Sequence, residues 1–227
     1  MFAHHSEVIA AIAIPAAAPN LIYTASLDCS VRCLDAAAGV SWEVVEEDEG
    51  KPAALCFDGG GAGGEGGGTS MWVGNRLGQV YHCDTRVKCG SGGGAGGVRS
   101  IRGSTGGLLQ VHAEGKKITT VCLGPGGAGG AASPFTLLTA GGDGLVRLWD
   151  TRRLPKGGSS TSKVREGGTP IAELVHGSTV CSAYFSPLGT HIMSASANDY
   201  VRVWDTGRVT AGSLQPKHVL KHDMHTG

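Results

Sequence analysis

The chain has 227 residues, enough for one or two domains, and its acidic and basic residues balance to a formal net charge of zero. That balance excludes bulk attraction to a polyanion. It is uneven along the chain, however: ten acids face two bases through Gly66 and nine acids face seventeen bases afterwards, so the later part carries about +8 and leaves room for a nucleic-acid face.

The start, Met1-Phe2-Ala3-His4-His5, lacks the basic segment and apolar core of a signal peptide. Residues 8–18 are apolar but too short to span a bilayer, so no membrane partner is expected. Val8–Pro15 reads as a strand with His4 just before it. Residues 22–35 then read as strand, turn and strand, closing on Leu34-Asp35. Residues 43–50, Glu-Val-Val-Glu-Glu-Asp-Glu-Gly, read as an acidic solvated loop, or alternatively as a contact for a basic partner.

Glycine-rich inserts are expected at 59–68, 90–97 and 124–130. They hold Gly-x-Gly-x-x-Gly only trivially. No helix, ribose-binding acid or phosphate-loop Lys-Ser/Thr accompanies them, so no nucleotide and no cofactor is expected. Residues 71–84 form a second, worn strand–turn–strand copy ending in Cys83-Asp84.

Gly107–His112 reads as the outer strand of that sheet, and Lys116–Val121 opens the next. The clearest copy follows at 137–153. Leu137-Leu138-Thr139 is a buried strand, Gly141-Gly142-Asp143-Gly144 is turn chemistry, and Leu145–Trp149 is a second strand ending in Trp149-Asp150. Residues 154–170, with Lys156, Lys163 and Arg165, read as a solvated basic linker. Residues 171–185 lead into the last copy, 192–205, which ends in Trp204-Asp205. Lys217–Leu220 reads as another outer strand.

Aligned on Asp35, Asp84, Asp150 and Asp205, the copies lie 49, 66 and 55 residues apart. A compact WD repeat takes roughly 40–45, and the glycine-rich inserts account for the excess. The fold expected is therefore all-β: a WD-repeat β-propeller with about four blades of an expected seven, beginning inside one blade and ending at the entrance to another. Such blades can be locked by a hydrogen-bond chain from His through Ser/Thr and a turn Asp to Trp. His112, Thr139, Asp143 and Trp149 fill all four places. His176, Ser194 and Trp204 fill three in the last copy, where Asn198 stands at the turn. In the first copy Thr24 and Asp28 are present, but Leu34 replaces Trp.

The seven cysteines are odd in number, scattered through predicted strands and without a Cys-x-x-Cys pair. Buried reduced thiols in an intracellular, reducing compartment are expected, and no metal site. His82, Asp84 and Ser104 share residue types with a triad, but no nucleophile elbow is present. A non-enzymatic protein is expected.

Three runs carry a closer resemblance: Val180–Gly189 with Ile192–Asp205, His4–Val8 with Leu21–Asp35, and Leu220–Gly227. They resemble the family of WD-repeat-containing protein 76 and the changed-mutation-rate protein. The small subunit of the damage-specific DNA-binding protein is a more distant match. The resemblance implies a nuclear protein (with the cytoplasm as the alternative) that binds DNA in the damage response. Several relatives are also substrate receptors of a cullin-4 ubiquitin ligase, docking on its adaptor through Trp-Asp-x-Arg. Trp149-Asp150-Thr151-Arg152 matches that motif, Asp84 and Arg86 keep part of it, and Trp204-Asp205-Thr206-Gly207 lacks the Arg. A DNA-contact lysine of the distant relative falls at Lys117, with Lys116 beside it. The relative's hairpin near His222–Thr226 is not matched. The competing reading is a WD-repeat scaffold that binds other proteins without touching DNA.

Overall fold

The computed structural model describes residues 5–47, 50–57, 70–85, 108–126, 132–155, 164–210 and 214–221. Four sheets are built in chain order. Sheet I holds β1 (Ile9–Ala13), β2 (Leu21–Ser26), β3 (Ser30–Asp35) and β4 (Val40–Glu46). Sheet II holds β5 (Pro52–Phe57), β6 (Ser70–Asn75), β7 (Gln79–Asp84) and β8 (Leu109–Gln110). Sheet III holds β9 (Ile118–Leu123), β10 (Thr136–Gly141) and β11 (Leu145–Asp150). After β12 (Arg165–Glu166) the chain adds β13 (Ala172–Val175) to the edge of sheet III. Sheet IV holds β14 (Val180–Phe185), β15 (His191–Ser196), β16 (Tyr200–Asp205) and β17 (His218–Lys221). A short helix, α1 (Thr206–Thr210), follows β16.

Successive strands within each sheet pair antiparallel, and the first strands of neighbouring sheets, β1, β5, β9 and β14, pack in series. The sheets stack face to face through three apolar layers. Tyr23, Val31, Met71 and Tyr81 fill the first, Trp72, Val80, Leu137 and Trp149 the second, and Leu138, Leu148, Ile192 and Trp204 the third. Strand alternation explains this: Ile192, Ser194 and Ser196 of β15 are buried, while Met193 between them is exposed. This is a nearly all-β propeller architecture, with four strands each in sheets I, III and IV and five in sheet II.

The turns between second and third strands share one requirement. The residue six before each closing Asp has positive φ: Cys29 (67°), Gly78 (82°), Gly144 (80°) and Asp199 (64°).

Three local readings change. Residues 43–50 are not simply a solvated loop: β4 runs to Glu46, and Glu47 is buried, at 4% exposure, beneath sheet II. Glu47 continues the sheet because its N–H donates to the Cys29 carbonyl at 2.8 Å, and Gly50 leaves room for its carboxyl group. In the 154–170 linker, Arg165 and Glu166 pair in parallel with β8 and give sheet II a fifth strand, while 156–163 lie outside the described residues. Only Cys33 and Cys83 of the described cysteines are buried; Cys29, Cys56 and Cys122 are half-buried and Cys181 is exposed. Of the glycine-rich inserts, only 124–126 are described, in an extended link after β9. No described helix is long and apolar enough to cross a membrane.

Candidate functional site

Sheet III has two ends. Gly141 faces Ile118 across β10 and β9, and Thr136 faces Asp150 across β10 and β11. The loop carrying Lys116 and Lys117 therefore sits at one end, and Asp150 and Arg152 sit at the other. Strands of this length separate the two ends by roughly 15–20 Å.

A polar chain anchors the lysine end. The indole N–H of Trp149 donates to Thr139 Oγ1 at 3.0 Å, and Thr139 lies 2.9 Å from His112 Nε2. His112 Nδ1 lies 2.9 Å from Asp143 Oδ1. The Asp143 carboxylate can only accept, so His112 carries its proton on Nδ1 and Thr139 O–H donates to Nε2; Arg147 Nη1, 3.0 Å from Nδ1, then cannot donate to the ring. Gly141 makes this chain possible, because a Cβ there would strike the imidazole. Arg147 Nη1 donates to Asp143 Oδ2 at 2.8 Å and to the Val111 carbonyl at 2.9 Å, and its Nε donates to Glu173 at 2.6 Å. Burial alone would raise the Asp143 carboxyl, but the bonds from His112, Arg147 and the Ala113 N–H hold it well below the usual carboxylate range.

The other sheets vary this theme. In sheet IV, Trp204 N–H donates to Ser194 Oγ at 2.8 Å, and His176 Nε2 lies 2.8 Å from the same oxygen. Asn198 does not reach the imidazole; it accepts from Ser196 Oγ at 2.6 Å, and Arg202 Nη1 donates to His176 Nδ1 instead. The proton must then sit on Nε2, the opposite tautomer from His112. Burial, reinforced by the Arg202 charge, lowers His176 to about 4. In sheet I the place read for His4 is taken by His5, at 2.7 Å from Thr24 Oγ1 and 2.9 Å from Asp28 Oδ2; His4 lies outside the described residues. Leu34 leaves that chain without an indole. Sheet II has no such His, and its equivalent is Asn75, bonded to Glu47, Gln79 and the Leu77 N–H. The arginines of these networks were not singled out from sequence. The signal was present, since Val-Arg recurs at Val31-Arg32, Val146-Arg147 and Val201-Arg202.

Lys116 and Lys117 are exposed, and neither ammonium has an ion-pair partner among the described residues. The backbone around them is tied down: Lys116 N–H donates to Ala113 O at 3.0 Å, and the Lys117 carbonyl accepts Gly142 N–H at 2.8 Å. Two further cations, Lys51 and Arg76, lie on adjoining loops. Arg76 N–H bonds the Gly50 and Lys51 carbonyls at 2.9 and 3.2 Å, and Gly115 N–H reaches Leu77 O at 3.3 Å. Lys51 is paired with Glu7 at 3.5 Å.

At the other end, Arg152 forks onto Asp150 with Nε and Nη2 at 2.9 and 2.8 Å, and its guanidinium lies 4.9 Å over the exposed Phe135 ring. Those bonds hold the Asp150 carboxyl low. Trp149 is buried and its N–H is used within the sheet, so Arg152, Phe135 and the Asp150 edge are what a partner can meet. Asp84 ends β7 opposite Ser70; Arg86 lies outside the described residues. His82 packs at 4.9 Å on Trp72, and Ser104 lies outside the described residues. Among the described residues, no group of three or more His, Cys, Asp or Glu is placed to hold a metal ion.

A family model, "WD domain, G-beta repeat", matches residues 96–150 and 168–205. The chain is 31% identical over 130 residues to DNA damage-binding protein 2 of Oryza sativa subsp. japonica, covering 56% of this chain and 19% of the relative. It is 32% identical over 125 residues to protein DAMAGED DNA-BINDING 2 of Arabidopsis thaliana, covering 54% and 19%. It is 24% identical over 212 residues to DNA damage-binding protein CMR1 of Cryptococcus neoformans, covering 69% and 33%. The matched region is thus about a fifth of each plant relative and a third of the fungal one. Among solved structures, a chain of the mitotic checkpoint complex overlays with a TM-score of 0.58 at 17% identity, covering 88% of this chain and 46% of that one, a likeness of fold alone. The sheets, the matched repeats and these relatives together identify the chain as a WD-repeat protein homologous to DNA damage-binding protein 2 and CMR1.

Proposed function

We propose that the chain is a non-enzymatic nuclear WD-repeat protein that binds DNA in the damage response, holding phosphates with Lys116 and Lys117. The observation that carries this is homology to proteins named for binding damaged DNA. The geometry supports it. Two ammonium groups without an ion-pair partner among the described residues stand on a fixed loop, and Arg76 lies on an adjoining loop, where Lys51 is paired with Glu7. Such contacts position the duplex without reading its sequence. The test is anisotropy of a fluorescent duplex, irradiated and intact, titrated with the full chain at several salt concentrations. The double variant Lys116→Glu/Lys117→Glu is expected to bind more weakly, with a salt slope shallower by about 2. Unchanged affinity and slope would remove this site.

We further propose that Arg152, with Asp150, docks the chain on a cullin-4 ligase adaptor. The opposite placement of the two ends lets both contacts form at once. Arg152→Ala should abolish adaptor capture and leave duplex binding intact; loss of both, or of neither, would refute separate sites. The second reading is a protein-interaction scaffold without DNA contact, which the zero net charge favours. It predicts partner capture with no duplex affinity at physiological salt.

A further inference from the structure

The inner strands of sheets II and III each place a thiol at their fifth position, Cys56 in β5 and Cys122 in β9. The same position holds Ala13 in β1 and Tyr184 in β14, so the fold itself does not ask for sulfur there. The two strands pack side by side, and Leu123 N–H donates to Cys56 Sγ at 3.3 Å. That contact sets the Cys56 sulfur against the stretch of β9 that carries Cys122, while the Cys56 thiol donates to the Phe57 carbonyl at 3.4 Å and the Cys122 thiol to the Leu123 carbonyl at 3.6 Å. Both thiols are half-buried rather than sealed.

The electrostatics separate this pair from the other thiols. The neighbouring Cys56 side chain, with the Phe185 backbone, outweighs burial and lowers Cys122 to about 7. Burial pushes Cys33 up and Cys83 well up, which keeps both protonated. Cys122 is therefore the thiol of the two that is favoured as thiolate, and Cys56 stands on the adjoining strand to resolve what it forms.

We propose that Cys56 and Cys122 are a peroxide-responsive dithiol whose oxidation staples the inner strand of sheet II to that of sheet III. The Cys122 thiolate attacks a hydroperoxide; an S–O bond forms, the O–O bond breaks, and the departing oxygen takes a proton and leaves as water or an alcohol. Cys122 is then a sulfenic acid. Cys56 sulfur attacks it; the S–S bond forms, the S–O bond breaks, and hydroxide leaves with the Cys56 proton as water. Two thiols lose two electrons and two protons, and the peroxide gains them. The staple would join the sheet that carries Arg76 to the sheet that carries Lys116 and Lys117, fixing the spacing of the basic loops.

The test uses the native full chain and hydrogen peroxide, followed by alkylation, non-reducing digestion and mass spectrometry. A peptide pair joined through Cys56 and Cys122, lighter by two hydrogens than the separate peptides, is expected. Cys56→Ser should accumulate a sulfenic acid on Cys122 that a dimedone probe captures, and Cys122→Ser should abolish the cross-link. Two results would overturn the proposal: exposed Cys181 oxidising while Cys56 and Cys122 stay alkylatable, or the sulfenic acid appearing on Cys56 rather than Cys122. The cross-link is read on the unsubstituted chain, so a poorly folding variant cannot decide the outcome.

Discussion

Glu47 is a buried carboxylate and Asp143 a half-buried one at the same end of their sheets, and their partners drive them apart. Asp143 meets the Arg147 cation, His112 and a backbone amide, which together overcome its burial. Glu47 meets only neutral donors, Tyr81 O–H and Asn75 Nδ2, so burial wins and raises it to about 7. The sign for stability follows. In the unfolded chain Glu47 loses its proton near pH 4.5; in the folded chain it holds it to about 7. Its contribution is complete below pH 4.5, falls as pH rises, and is gone above 7. Glu47→Gln can keep both neighbours, with its oxygen toward Asn75 and its amide toward the Tyr81 oxygen. Thermal unfolding followed by circular dichroism should show the variant stabilised at pH 8 relative to pH 4.5 by on the order of 3 kcal/mol; an equal shift at both pH values would reject this account. His176 runs the other way. It is lowered from 6.5 to about 4, so its contribution is present above pH 6.5 and drains away as pH falls to 4. His176→Gln should flatten that acid limb.

At the scale of the hairpin, one backbone requirement is met by three residue types at four positions. The positive φ six before each closing Asp is free of strain at Gly78 and Gly144, tolerable at Asp199, and poorest at Cys29. Cys29→Gly should raise unfolding free energy by about 0.5–1 kcal/mol, since the strain removed exceeds the added chain entropy. Gly144→Ala should lower it by more than 1 kcal/mol, because the new methyl would also lie 3.0 Å from the Ser178 carbonyl. Urea denaturation of both variants checks the pair, and a Cys29→Gly loss would show that the thiol's own contacts matter more. The hairpins were legible because turn chemistry and the closing Asp repeat within a few residues. The His112–Thr139–Asp143–Trp149 set was legible for the same reason. What escaped was long-range or finely placed. The pairing of Arg165–Glu166 with β8 leaves no local signal. Burial of Glu47 is hidden in an acidic run. His5 replaces His4 because one residue decides which histidine points at Thr24.

At the scale of the molecule, six of the eight faces of the four sheets pair in three layers and two do not. Across sheet IV, Tyr184 faces Met193, Met193 faces Val203, and Val201 faces Leu220, so these side chains share the face turned away from sheet III. Met193 is 56% and Leu220 59% exposed there. On sheet I the face carrying Thr24, Ile22 and Leu34 meets no described sheet, and Ile12 upon it is 64% exposed. Every other such face buries an apolar layer, so these two are built to be covered, and a contiguous patch of this kind drives association when bare. The 227-residue chain is therefore expected to self-associate. Size-exclusion chromatography with light scattering should show mass rising with concentration, and Met193→Lys/Leu220→Lys should return it to a monomer. The lysines replace exposed side chains, so unfolding free energy should move by no more than about 0.5 kcal/mol per site. A wild-type chain that stays monomeric throughout and binds no apolar dye would mean that something within the chain covers the faces. If association and the duplex test are run together, they also separate two causes of apparent affinity: the lysine substitutions should weaken duplex binding in the monomeric background as strongly as in the associating one, because Lys116 and Lys117 lie on sheet III, away from both bare faces.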